Sequence, residues 1–67
     1  MNDNPMNPAG IEEGDYVRLK DPREGQYKGS MKVMTVRGSH QNKIWCRELG
    51  IELFATCFEL VKKGSNG

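Results

Sequence analysis

The chain has 67 residues, of which ten are basic and nine acidic, so its net charge at pH 7 is +1. A chain of this length forms one domain at most, and its small core leaves no room for an active site cut deep into a large scaffold. The balanced charge argues against an overall basic, nucleic-acid-binding protein, and no apolar run of about 18 residues predicts a membrane span.

The first ten residues contain three Asn, two Pro and one Gly without periodicity, and we predict a disordered tail over residues 1–10. This stretch has neither the basic nor the apolar region of a secretory signal, so we expect a cytoplasmic protein with reduced cysteines. A single folded domain is predicted over residues 11–63, followed by a flexible C-terminus over residues 64–67.

The clearest pattern in the chain begins at Gly14 and runs to Lys20, with the sequence Gly-Asp-Tyr-Val-Arg-Leu-Lys. Apolar and polar side chains alternate at period two, which is typical of a half-buried strand. We predict a strand over residues 15–20 with Val17 and Leu19 facing the core, and a turn at Gly14 before it.

A long loop follows over residues 21–30, with one Pro and two Gly among mostly polar side chains. Hairpin connections usually have two to five residues, and longer loops often contact a partner. Tyr27 in this loop has two equally supported interpretations: it contacts a partner, or it folds back over one end of the core.

The rest of the chain predicts four more short strands. Strand two covers residues 31–37, with Met34 and Val36 inward as the more apolar face, and residues 38–42 form a polar turn. Strand three covers residues 43–49 with Ile44 and Cys46 inward. Gly50 permits a tight turn into strand four at residues 51–54, a 3-10 turn is expected over 55–58, and strand five covers 59–62.

No segment has apolar residues at helical spacing over ten residues, so the sequence predicts an all-β fold. Five short strands, a long first loop and a 3-10 turn before the last strand are the layout of a small SH3-like barrel. Closing the sheet would remove exposed edges that promote aggregation.

The motif residues of this layout resemble a known family. Gly14-Asp15-Tyr16-Val17-Arg18-Leu19-Lys20, then Met34-Thr35-Val36, then Ile44-Trp45-Cys46 and the closing Phe and Leu, are similar to the YodC-like family of small uncharacterised bacterial proteins. The resemblance covers roughly residues 12–62 and implies an SH3-like barrel, related in layout to KOW-type and Tudor-type modules. It supplies no biochemical activity.

The sequence contains no catalytic or metal-binding signature. Cys46, Cys57 and His40 are the only soft ligands, and two cysteines eleven residues apart do not make the close pairs of a zinc site. Both cysteines are expected to pack as small hydrophobic groups. The acid pairs Glu12/Glu13 and Glu48/Glu52 are expected to be solvated, so we predict a non-enzymatic protein without cofactor or metal.

The outward face of the first three strands is the candidate binding surface. Arginine and aromatic side chains dominate protein interfaces, and the predicted alternation places several of them on one face. A protein partner is therefore predicted, although Trp45 could instead pack under a loop with an arginine stacked on it. The proposed partner surface consists of Tyr16, Arg18, Tyr27, Arg37, Trp45 and Arg47.

A KOW-type nucleic-acid binder is the alternative function. It would place basic side chains against phosphates, and its binding would weaken steeply with added salt. The sequence leaves open whether the protein is a monomer or a weak homodimer. The side chains for this alternative are Arg18, Lys20, Arg37, Lys43 and Arg47.

Overall fold

A computed structural model describes residues 4–64, and within them the chain is all-β, with two single 3-10 turns as its only helical elements. The all-β class and the five predicted strands are confirmed. The strands are β1 (Tyr16–Leu19), β2 (Met31–Arg37), β3 (Lys43–Cys46), β4 (Glu52–Phe54) and β5 (Phe58–Lys62), and the 3-10 turns are Ser39–Gln41 and Ala55–Cys57.

All five strands belong to one antiparallel sheet with the order β4-β3-β2-β1-β5. The two edge strands, β4 and β5, are not paired with each other in the described part of the chain, so the sheet stays open. The prediction of a closed SH3-like barrel is therefore not confirmed. The edges are short, with three residues in β4, which limits their tendency to pair with other chains.

The core lies on one face of the sheet, and the alternation of β1 and β3 places their apolar side chains there. Val17 is 0% exposed and Leu19 is 5% exposed, while Ile44 and Cys46 are both fully buried. These four orientations confirm the sequence-based predictions. Phe58 at the start of β5 is the largest fully buried side chain, and it closes the core from the edge.

The prediction that Met34 of β2 faces the core is wrong, because the strand contains a β-bulge. Met31 and Val33 are buried, whereas Met34 is 36% exposed. Val33 pairs with Cys46 but Thr35 pairs with Trp45, so Met34 is an extra residue on β2. One inserted residue reverses the alternation, which explains why Val36, beyond the bulge, packs against the core as predicted.

Strand three is shorter than predicted, because the chain turns directly after Cys46. The backbone N–H groups of Leu49 and Gly50 both donate to the Cys46 carbonyl, at 3.1 and 3.2 Å, and residues 47–49 form a turn. The predicted 3-10 turn before β5 is confirmed over Ala55–Cys57, with the buried Ala55 donating its N–H to the Asn42 carbonyl at 2.7 Å.

Residues 4–10 were predicted to be disordered, but in the structure this segment packs against the domain. Asn7 is 1% exposed, and its side-chain carbonyl accepts the Ile11 N–H at 2.9 Å. Its Nδ2 donates to the carbonyls of Ile11 and Gln41, each at 3.0 Å. A buried amide with these partners holds the segment against the 3-10 turn Ser39–Gln41. The first three residues of the predicted tail, and residues 65–67 of the predicted C-terminus, lie outside the described range.

Asp15 is a second buried polar residue, and it joins the start of β1 to the end of β5. Its side chain accepts the backbone N–H of Glu12 at 2.9 Å, the Lys63 ammonium at 2.7 Å and the Gly64 N–H at 2.9 Å. Gly14 beside it has φ +90, a conformation that glycine adopts at low cost. The sequence predicted a turn at Gly14 and a strand from Asp15, but the strand begins at Tyr16 and Asp15 instead makes this buried contact.

Candidate functional site

A shallow cleft surrounds Trp45 on the outer face of the sheet. In the sheet register Trp45 lies between Thr35 of β2 and Glu52 of β4, so all three side chains share this face. The indole is half-buried, and the cleft has a volume of about 490 Å³. Its lining residues are Thr35, Arg37, Trp45, Gly50, Ile51 and Glu52.

Both signs of charge line this Trp45 cleft. The Arg37 Nε lies 3.8 Å from Glu52 Oε2, and both side chains remain partly in solvent, at 71% and 34% exposure. An exposed pair at this distance contributes little to stability, so either partner can turn toward a ligand at small cost. Ile51 adds an apolar side chain that is 53% exposed. The cleft thus combines an aromatic ring, an aliphatic group, a cation and an acid.

The Trp45 cleft contains only two of the predicted partner residues, Arg37 and Trp45. Arg47 lies past the end of β3 in a separate cleft of about 260 Å³, which Lys32, Met34 and Glu48 also line. The two clefts belong to the same outer face, since Met34 occupies the bulge between them. This surface therefore extends along β2 and β3.

The other predicted partner residues lie apart from Trp45. Arg18 on β1 donates from Nε to Glu59 Oε2 of β5 at 2.7 Å, directly across the strand pair. Tyr27 is 47% exposed and its ring lies against Gly29 of its own loop. Tyr16 is half-buried on β1 and lies across from Lys32.

Sequence reasoning did not single out a second groove, which is more apolar. It lies between the loop after β1 and the 3-10 turn before β5, has a volume of about 650 Å³, and meets the Trp45 cleft at Ile51. In the sequence, the aliphatic residue Ile51 after Gly50 was the signal that could have indicated this groove. Its lining residues are Leu19, Lys20, Asp21, Arg23, Gln26, Ile51, Leu53, Thr56 and Cys57.

The two cysteines differ in chemistry. Burial, together with the charge of Glu48, raises the pKa of the Cys46 thiol to about 11, so this group stays protonated at neutral pH. The prediction that it packs as a small hydrophobic group is confirmed. The same prediction is wrong for Cys57, which is exposed. Among residues 4–64, no three His, Cys, Asp or Glu side chains group as a metal would need.

Comparison with known proteins gives no relative. Neither the protein-family models, nor the curated proteins, nor the solved structures contain a match to this chain. Within residues 4–64, no helix is both long enough and apolar enough to span a membrane.

Proposed function

We propose that the protein is a non-enzymatic binding module that holds an extended segment of a partner protein in the Trp45 cleft. The main support is the composition of the cleft, where an indole and an exposed Ile51 adjoin the loosely paired Arg37 and Glu52. Aromatic and arginine side chains supply most of the binding energy in protein interfaces. A mixed lining of this kind suits a polypeptide, which offers apolar, polar and charged groups in alternation.

Nucleic-acid binding is the less favoured function, because the predicted phosphate contacts are partly engaged. Arg18 is held by Glu59 at 2.7 Å, and Arg37 lies 3.8 Å from Glu52. The three other cations proposed for phosphates do not share a cleft. Lys20 lines the second groove, and Arg47 lines the cleft that also contains Lys32 and Met34. Lys43 lies in another pocket, beside Phe54. A phosphate backbone requires cations along one continuous path.

The same proposal takes the domain to be SH3-like and YodC-like. The strand order, the long loop after β1 and the 3-10 turn before β5 support an SH3-like layout. The motif residues of β1, β2 and β3 support the family. A cytoplasmic location and the absence of catalysis remain part of the proposal.

The test is peptide selection on the purified protein. A display library of random peptides is selected on the wild-type chain and on Trp45→Ala, and enriched peptides are resynthesised for titration. The proposal predicts a consensus with an apolar or aromatic residue, whose affinity falls at least about tenfold in Trp45→Ala. Both affinities are measured by calorimetry, and in wild type the fluorescence of Trp45, the only tryptophan, also reports occupation of the cleft.

The matched control is Val61→Ala, which truncates an exposed apolar side chain on β5. It should leave the affinity of the selected peptides unchanged. The proposed site would be refuted if the selection enriched no consensus sequence, or if the selected peptides bound equally to wild type and Trp45→Ala.

A further inference from the structure

Four side chains form a row across the outer face of the sheet, perpendicular to the strands. Tyr16 on β1 lies across from Lys32 on β2 and from Lys62 on β5. Arg47, just beyond β3, lines the same cleft as Lys32. We call these residues the cationic row: Arg47, Lys32, Tyr16 and Lys62.

Tyr16, Lys32 and Arg47 face away from the core because their sequence neighbours are buried, whereas Lys62 is placed in the row by its pairing with Tyr16. Met31 and Val33 on either side of Lys32 are buried, and so are Val17 after Tyr16 and Cys46 before Arg47. The three cations are exposed and Tyr16 is half-buried between two of them. Neighbouring strands are about 4.8 Å apart, so the row extends over roughly 14 Å from β3 to β5.

The positive charge of the row is not neutralised by the domain. In residues 4–64, ion pairs involve the cations Arg18, Arg37 and Lys63, and none involves a member of the row. Glu48 lines the cleft of Lys32 and Arg47 but pairs with neither. Three positive charges against the one carboxylate of Glu48 leave a net positive surface, which attracts an anionic group from outside.

We propose that the cationic row binds carboxylates of the same partner segment whose apolar side chain occupies the Trp45 cleft. This inference depends on the proposed function and specifies the partner as an acidic polypeptide. Lys32 and Thr35 are three residues apart on β2, about 10 Å, and side chains on one face of an extended peptide repeat about every 6.7 Å. A peptide along β2 and β3 would therefore present acidic residues two to four positions from its apolar anchor, where they reach Lys32 and Arg47 at one end of the row.

A polypeptide fits the charges of this surface better than a nucleic acid does. Glu52 lines the Trp45 cleft and Glu48 lines the cleft beside the row. A continuous phosphate backbone would pass Glu52 as well as the row, at an electrostatic cost, whereas a peptide can place its apolar side chain beside Glu52 and its acids only at the row. The Tyr16 hydroxyl also offers a hydrogen-bond donor to a carboxylate.

The test titrates three defined probes, each carrying a fluorescent label, at low salt and measures their anisotropy, a signal that does not depend on Trp45. They are the peptide Phe-Ser-Glu-Ser-Glu-Ser-Glu, the same peptide with Gln for each Glu, and a single-stranded oligothymidylate. The row variants are Lys32→Gln and Arg47→Gln, which change exposed side chains and should leave folding intact. The matched control, Lys43→Gln, removes the same charge from β3 at a position outside the row.

The proposal predicts that the Glu peptide binds more tightly than the Gln peptide. Each row variant should weaken the Glu peptide by about threefold to tenfold, whereas Lys43→Gln should not. Equal binding of the Glu and Gln peptides, equal effects of all three variants, or no peptide binding would overturn it. Tighter, row-dependent binding of the oligothymidylate would also overturn it, because the anion would then be a phosphate backbone.

Trp45→Ala separates the two proposals. It should weaken the Glu and the Gln peptide alike, because both carry the apolar anchor. If it does so while the row variants have no effect, the proposed function stands and the acidic partner does not. If the row variants weaken the Glu peptide and Trp45→Ala changes nothing, the anchor site is wrong and the row alone accounts for binding.

Discussion

The Lys63 ammonium lies 2.7 Å from Oδ2 of Asp15, a carboxylate that is itself 1% exposed. This contact joins two segments 48 residues apart in sequence, the entry to β1 and the end of β5. Because β1 and β5 pair directly, the contact holds one end of the outer face in place. A buried charge needs such partners, since an unpaired carboxylate in the interior is strongly unfavourable.

Asp15→Asn should destabilise the domain at neutral pH. The amide keeps one acceptor oxygen, so a donor among Glu12, Lys63 and Gly64 loses its partner, along with the ionic contact. We expect the free energy of unfolding to fall by about 2 kcal/mol, measured by urea denaturation. Glu13→Gln, which changes an exposed acid in the same turn, should stay within about 0.5 kcal/mol of wild type. Equal stabilities of the two variants would contradict the role of Asp15.

The pH dependence of stability should follow the same contact. Burial alone would raise the pKa of Asp15, but the hydrogen bonds from Lys63, Gly64 and Glu12 outweigh it and hold the pKa below its usual 3.8. The folded state therefore binds this proton less readily than the unfolded state. The stabilisation is fully present above pH 3.8 and is lost as the pH falls through the lowered value. The difference between wild type and Asp15→Asn should shrink in that acid range.

At high pH the partner of Asp15 contributes its own pH dependence of stability. The hydrogen bond to Asp15 raises the pKa of Lys63 above 10.5. Its contribution is therefore complete below pH 10.5 and is lost as the pH rises through the raised value. Lys63→Met should remove this alkaline dependence, which thermal melts across the alkaline range would detect. An unchanged alkaline profile in Lys63→Met would count against the contact.

Gly64→Ala should disrupt the same junction by steric overlap. A methyl group at Gly64 would collide with the Gly14 carbonyl oxygen, which is backbone and has little room to move. The backbone at residue 64 would then separate from Asp15, and we expect the free energy of unfolding to fall by about 2 kcal/mol. Since both changes break one set of contacts, Gly64→Ala and Asp15→Asn should be strongly non-additive in the double variant. Simple addition of the two effects would show that they act separately.

Asn7→Ala tests whether the N-terminal segment belongs to the folded domain. The substitution leaves the buried Ile11 N–H and the Gln41 carbonyl without their amide partner. A loss of about 1–3 kcal/mol is expected, together with faster hydrogen exchange at the Ile11 amide. Met6→Ala, in the same segment but 43% exposed, is the control and should cost far less. No difference between the two variants would indicate that the segment contributes nothing to stability.

Thiol labelling should distinguish the two cysteines. Cys57 is exposed, whereas Cys46 is buried with a thiol pKa of about 11. At neutral pH a thiol reagent should modify one group per native chain, and two after denaturation. Native Cys57→Ser should therefore be unreactive. Rapid modification of native Cys57→Ser would mean that Cys46 is accessible.

The alternation of side chains predicted the sheet well where the strands are regular. Val17, Leu19, Ile44 and Cys46 face the core because β1 and β3 keep period two. On β2 the same rule failed at Met34, which is an extra residue relative to the partner strand β3. The local alternation of side chains carries no information about the partner strand. A bulge is a property of pairing, and pairing joins residues that are distant in sequence.

The polar features of the fold were not predictable in the same way. Asp15 and Asn7 belong to residue types that are usually exposed, and each is buried only because its partners come from elsewhere in the chain. The candidate site was partly anticipated, in that Arg37 and Trp45 do share a cleft. Lys32 and Lys62 were not anticipated, because only strand register places them beside Tyr16. Ile51 was not anticipated because it reaches the Trp45 cleft from the turn before β4.

The measurement that tests the binding face most directly is an amide chemical-shift map of the labelled protein with the tightest selected peptide. The account predicts the largest shifts on the outer face of β2 and β3, at Thr35, Trp45 and Arg47, and at Glu52 beside them. Shifts concentrated instead at Lys20, Asp21 and Thr56 would place the ligand in the second groove. That result would contradict the claim that the Trp45 cleft is the binding site.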